Sequence, residues 1–414
     1  MRHLKWYPTR EQYEKDGRQN PPFVGFIKDE GAVKYNGEVG LASLPLYIEA
    51  LEDLMIQFTR NNIEYSIDRE VWDVLSPNTL QSFSAGTRVF FRCTSPQEYT
   101  DGIGKFIVRT QNTSEFIEAK FNAGGNVASM AYGDDYLKYD AVPYSMKGMF
   151  SGSSIISAKY MYCPAGFYNQ FFLGCESLIE PPNIPATTLV QSCYYAMFQD
   201  CTSLVNAPAL PATTLADYCY GNMFQGCTSL VNAPELPATT LAGHCYESMF
   251  RDCTSLVNAP ALPATTLAGH CYRSMFLRCT SLVNAPALPA TTLVDYCYGF
   301  MFSRCTSLVN APALPATTLA RYCCYNMFQG CTSLVNAPEL LAAILADDCY
   351  NSMFSGCTSL NYIKMTSIEV GGLSLYNWVE GVASSGTFVK AAGVYLPTGT
   401  SGIPSGWTIE EVAV

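Results

Sequence analysis

The chain has 414 residues, of which 49% are hydrophobic, 13% aromatic and only 14% charged, a composition that excludes disorder and coiled coil and calls for more than one core. A net charge of −11, from 24 basic and 35 acidic side chains, opposes binding to a phosphate backbone, so no nucleic-acid partner is expected. No window approaches a membrane-spanning run, and the opening MRHLKWYPTREQYEKDGRQNPPF carries charges and prolines where a secretory leader needs an apolar stretch; neither membrane insertion nor a leader is expected.

Residues 1–150 carry 16 basic and 20 acidic side chains, whereas residues 175–356 carry 5 and 11. This break in charge density sets residues 1–145 apart as a domain. Its runs Leu46 to Glu49, Ile63 to Ile67, Thr87 to Arg92 and Phe106 to Arg109 cluster or alternate β-branched and aromatic residues between Gly, Pro and Asn breaks, which predicts a small all-β domain, a sandwich of half-buried strands. Two short motifs there resemble catalytic loops. Tyr132, Gly133, Asp134 and Asp135 spell the YGDD of polymerase palms, but without a second carboxylate motif they read as a tight turn. Gly102, Gly104 and Lys105 lack the spacing of a phosphate loop.

From residue 146 to residue 363 the sequence is periodic. Cys175, Cys201, Cys227, Cys253, Cys279, Cys305, Cys331 and Cys357 form one series, and Cys193, Cys219, Cys245, Cys271, Cys297, Cys323 and Cys349 a second with the same step of 26 residues. Such a step means stacked repeats that share a core. Within Cys201 to Gly226, Leu204 and Ala207 straddle a short extended piece that Pro208 and Pro211 end. Leu215, Cys219 and Met223 then recur at i, i+4 and i+8 with Tyr220 and Phe224 beside them, the apolar face of a short helix, leaving Asp217, Tyr218, Gly221, Asn222 and Gln225 outward. The fold class expected is therefore an α/β repeat solenoid of 26-residue units preceded by the β domain. Residues 364–414, rich in Gly and Ser, should cap the open end.

Both cysteine series fall on inward positions, so buried thiols are expected rather than disulfides or a zinc site. With only His3, His244 and His270 in the chain, no catalytic constellation, metal site or cofactor is expected, and the protein reads as a non-enzyme. The informative variation lies in one column, Ser192, Tyr218, His244, His270, Tyr296, Tyr322 and Asp348, with Arg251, Arg273, Arg278, Arg304 and Arg321 nearby. Exposed rings beside guanidinium groups are what anchors protein interfaces and stacks on sugars. Candidate receptor-binding residues are accordingly Tyr218, His244, His270, Tyr296, Tyr322, Arg251, Arg273, Arg278 and Arg304, with the uniform Val205-Asn206-Pro208 face as the alternative.

The unit L-x-x-A-P-x-L-P-x-x-x-L-x-x-x-C-x-x-x-M-F-x-x-C-x-x-L resembles the BspA-type leucine-rich repeat, with a unit about three residues longer than is common in that family. More loosely, YSIDREVW, SAGTRVFF, the PATTLA repeats and the GIPSGW tail resemble repeat proteins of gut Bacteroides and their crAss-like phages. The resemblance implies a leucine-rich-repeat solenoid that displays a binding surface for a host protein or glycan. It implies a virion component of tail or fibre type, attached to other virion proteins or to copies of itself through residues 1–145; the alternative is a bacterial cell-surface adhesin. A homo-oligomer is expected.

Overall fold

The computed structural model describes residues 5–7, 23–27, 31–35, 44–77, 79–94, 104–110, 117–132 and 141–413. Two compact units divide it, Met1–Pro185 and Ala186–Val414. The first opens on a three-stranded sheet of β1 (Lys5–Tyr7), β2 (Phe23–Ile27) and β3 (Gly31–Tyr35). Then come β4 (Leu46–Ala50), β5 (Leu54–Phe58), β6 (Ile63–Ser66), β7 (Asp73–Val74), β8 (Gln81–Phe83), β9 (Arg88–Cys93), β10 (Phe106–Thr110), β11 (Phe121–Asn126), β12 (Ala141–Ser145), β13 (Ile155–Tyr162) and β14 (Ala165–Phe167). Six of these form a sheet of order β13-β11-β4-β9-β6-β7, and three a sheet of order β10-β5-β8. The period of two expected of half-buried strands is plain in β5, where Leu54, Ile56 and Phe58 are buried and Met55 and Gln57 are not. Phe106 of β10 lies 4.7 Å from Phe58 and 4.8 Å from Phe91 of β9, which joins the two sheets through their rings.

The first unit runs past the step in composition at residue 145, because β13 pairs in parallel with β11 and so belongs to the larger sheet. Tyr132 ends a four-residue helix, Ser129–Tyr132, the one α-helix among the described residues. Gly133, Asp134 and Asp135 of the expected turn, and Gly102, lie outside the described residues.

In the second unit, positions 26 residues apart bridge in parallel. Asn206, Asn232, Asn258, Asn284, Asn310 and Asn336 form one continuous column that Tyr362 extends. The short extended piece expected between Leu204 and Ala207 is a single bridged residue, since the prolines that follow have no N–H to continue a ladder; a second bridge recurs at Thr188–Thr214, Thr240–Thr266 and Thr292–Thr318.

The segment expected to be helical is a chain of linked turns, and this corrects the α/β assignment. Tyr218, Tyr220, Asn222, Phe224 and Gly226 donate their N–H groups to carbonyls of the next coil, whereas Cys219, Gly221, Met223, Gln225 and Cys227 donate three residues back. Every fourth residue is left-handed, Tyr218 at φ 59°, Asn222 at 56° and Gly226 at 74°, as the third residue of a type II turn must be. An α-helix would keep all these N–H groups within the segment; here half of them tie one coil to the next. The turn period of four still places Cys219, Tyr220, Met223, Phe224 and Cys227 inside, each at most 1% exposed. Gly221, expected outward, is buried, and a Cβ there would meet the Tyr195 ring at 3.0 Å.

Like side chains stack along the unit. The phenylalanines from Phe198 to Phe354 lie 5.5–5.7 Å apart with nearly parallel rings. All eighteen cysteines are buried and none forms a disulfide. In the first series, Cys227, Cys253, Cys279, Cys305, Cys331 and Cys357 donate their S–H groups to a phenylalanine carbonyl of the preceding coil at 3.0–3.1 Å.

The tail continues the stack. β15 (Tyr362–Met365), β16 (Thr387–Ala391) and β17 (Thr408–Val412) form a parallel sheet that prolongs the asparagine column. Trp378 takes the place of the next phenylalanine, 6.0 Å from Phe354, and donates its indole N–H to Gly402 at 2.8 Å. β17 ends the ladder as an exposed edge bearing Glu410 and Glu411, charges that discourage further strand pairing. No helix among the described residues is long and apolar enough to cross a membrane.

Candidate functional site

The column expected to bind is built by the first left-handed residue of each turn chain. Ser192, Tyr218, His244, His270, Tyr296, Tyr322 and Asp348 all have φ between 55° and 59°. A left-handed residue swings its side chain to the outside of the turn, and because the coils are in register the side chains meet their own copies. The result is a five-ring ladder. Tyr218 and His244 stack with centroids 4.3 Å apart, His244 and His270 at 4.4 Å, and His270 with Tyr296 and Tyr296 with Tyr322 at 4.7 Å each, all within 18° of parallel.

The ladder brings together all five predicted rings, but it changes what they offer. Each interior face is covered by its neighbour, so a ligand meets ring edges, phenol hydroxyls and imidazole nitrogens, and only the outer faces of Tyr218 and Tyr322 lack a stacked ring. All five rings are half-buried.

Most of the arginines are held by acids of their own surface. Arg251 and Arg278 both reach Asp252, at 3.2 and 3.5 Å, and Arg273 donates to Glu247 at 3.0 Å. Arg321 donates to the Tyr322 hydroxyl at 3.3 Å and lies 4.8 Å from that ring's centre. Arg304 is exposed at another left-handed position, φ 60°.

At the centre of the ladder stands a residue that sequence reasoning overlooked. The Glu247 carboxylate accepts from His244 Nδ1–H at 2.7 Å with one oxygen and from Arg273 with the other. The signal was present: where Glu247 stands, the neighbouring coils carry Gly221, Arg273 and Gly299, so the acid appears only beside the two histidines. Burial, reinforced by the charges of His244 and Arg273, holds His270 below the ordinary imidazole range, which keeps it neutral at neutral pH. At the far end, a hydrogen bond to Asp348 holds the Tyr322 phenol above its usual value.

The opposite face is apolar and uniform. Val205, Val257, Val283 and Val309 are exposed in one line beside the asparagine column, and Asn258 donates to Asn232 across coils at 3.4 Å.

No family model matches the sequence, and no curated protein matches it. Among solved structures, the chain is similar to a leucine-rich repeat protein from Bacteroides ovatus, with 19% identity and a TM-score of 0.39, over 64% of this chain and 67% of that one.

Proposed function

We propose that the repeats act as a leucine-rich-repeat solenoid of 26-residue units and that the ladder from Tyr218 to Tyr322 is its binding surface, in a non-enzymatic recognition protein. The observation that carries this reading is the ladder itself. Five rings fixed at one coil spacing by stacking and by the backbone are ordered before any ligand arrives, so little conformational entropy is lost on binding. Their ring centres recur at 4.3–4.7 Å, a spacing suited to an extended glycan or peptide lying along the stack and meeting successive coils. The β unit that holds residues 1–145 serves for attachment, and the setting is a virion tail or fibre or, as the second reading, a bacterial surface; detection of the chain in purified virions distinguishes these.

Binding to intact cells and to a glycan array is measured for the unmodified chain and for Tyr218→Ala with Tyr296→Ala. Each buried aromatic anchor is worth about 2 kcal/mol, so the pair should weaken binding roughly a thousandfold with the melting temperature little changed. Unchanged binding would exclude the ladder and shift attention to the valine face.

A further inference from the structure

The three residues at the middle of the ladder have the composition of a metal site. One ligand atom from each of His244, Glu247 and His270 lies within 4.8 Å of the other two. Two imidazoles and one carboxylate form a donor set suited to borderline divalent ions of the zinc class. We propose that His244, Glu247 and His270 bind a zinc-class divalent ion, with an open coordination position left to water or to an oxygen of the bound ligand.

Several features beyond proximity favour this reading. His270 Nδ1 is buried and has no hydrogen-bond partner among the described residues, an arrangement that is costly for a polar atom unless something else satisfies it. Glu247 is already oriented, because Arg273 holds its second oxygen at 3.0 Å; a partner behind the ligating carboxylate is the usual second layer of a metal site. The stacked imidazoles, 4.4 Å apart and 8° from parallel, come from successive coils, so the backbone register rather than a flexible loop sets their separation. Ligands at about 2.1 Å from zinc stand roughly 3.4 Å from one another in a tetrahedron; because an imidazole lone pair lies in its ring plane, the two parallel rings must tilt toward each other to meet one ion, so binding opens the His244–His270 stack. The Arg273 charge opposes the ion but is matched by Glu247, and the three residues that make the site occur together: the histidine column carries Tyr218 and Tyr296 in the coils before and after, and the Glu247 column has an acid in no other coil.

The test uses the full chain, zinc chloride as the probe and titration calorimetry under reducing conditions, with cobalt as a spectroscopic substitute. His244→Tyr and His270→Tyr restore the residue that neighbouring coils use, so both variants keep the stack and the fold. The unmodified chain should bind one zinc ion, and cobalt should give the visible bands of a low-coordinate site with nitrogen and oxygen donors. Each tyrosine variant, and Glu247→Gln, should weaken zinc at least about tenfold while their melting temperatures without metal stay close to that of the unmodified chain. Absence of zinc binding by the unmodified chain overturns the proposal. So does equal affinity in His270→Tyr, which would remove His270 from the ligand set, or cobalt bands of thiolate type, which would assign the metal to the cysteines. Cell or glycan binding does not enter the readout, so failure of the ladder as a receptor surface leaves this result separate.

Discussion

Raising the pH should unfold the repeats through their thiols. Burial pushes Cys219, Cys271, Cys305 and Cys357 up to about 12, against an ordinary thiol value of 9.0. A group whose folded value lies above its unfolded value contributes stability that is complete below the unfolded value and is lost as pH rises through the folded one. The window is therefore pH 9 to 12. At about pH 10 each of the four thiols costs the folded state about 1 kcal/mol, together about 4 to 6 kcal/mol. Burial pushes Cys245, Cys253 and Cys279 in the same direction, and Tyr220 and Tyr350 likewise. Domain stabilities are about 5 to 15 kcal/mol, so these thiols alone can bring the array to its transition. Thiolate absorbance and far-ultraviolet circular dichroism, followed together in reductant as pH is raised, should move as one, both flat through pH 9 and both changing at about pH 10 to 11. A thiolate signal that grows with a midpoint near 9 while the dichroism holds would show water at the cysteines and refute their burial.

Other outcomes follow from backbone and packing. Gly226→Ala and Gly356→Ala should each destabilise by about 1 to 2 kcal/mol, and by similar amounts: both are left-handed, and the new Cβ meets only the movable end of the exposed Asp200 side chain in the first and nothing nearer than 3.5 Å in the second; chemical denaturation of the two variants checks this. Arg304→Gly should stabilise the fold by about 0.5 to 1 kcal/mol, since an exposed non-glycine residue leaves the left-handed region, and an unchanged or lower denaturation midpoint would contradict the turn geometry. Trp378→Ala should cost about 3 to 5 kcal/mol, because the fully buried indole ends the phenylalanine column and its removal leaves a cavity; chemical denaturation checks this.

The period, the inward thiols and the N-terminal strands were all legible, because repetition and two-residue alternation survive any detail of backbone geometry. The helix was not. Residues at i, i+4 and i+8 fit a helical stripe as well as a turn that repeats every four residues, and Leu215, Cys219 and Met223 cannot separate the two. The distinguishing signal lay in the intervening columns. Asn222 and Asn326 stand in one, beside Ala196, Ser248, Ser274 and Phe300, and Asp200, Gly226, Asp252, Gly330 and Gly356 in another, beside Arg278 and Arg304; the glycines, asparagines and aspartates are the types that tolerate left-handed backbone. The ladder positions were found, yet their stacking was not foreseen, because rings on a helix face point apart whereas rings on in-register turns superpose. Glu247 went unnoticed because it is one substitution in a variable column and gains meaning only beside His244 across the turn.

Footprinting of tyrosines on the chain while it is bound to its target cells tests the recognition surface most directly. Tyr395, 86% exposed, serves as the reference. The account predicts that Tyr218, Tyr296 and Tyr322 lose reactivity on binding while Tyr395 keeps it. Unaltered reactivity along the whole ladder in a chain that is demonstrably bound would contradict it and place the contact elsewhere on the molecule.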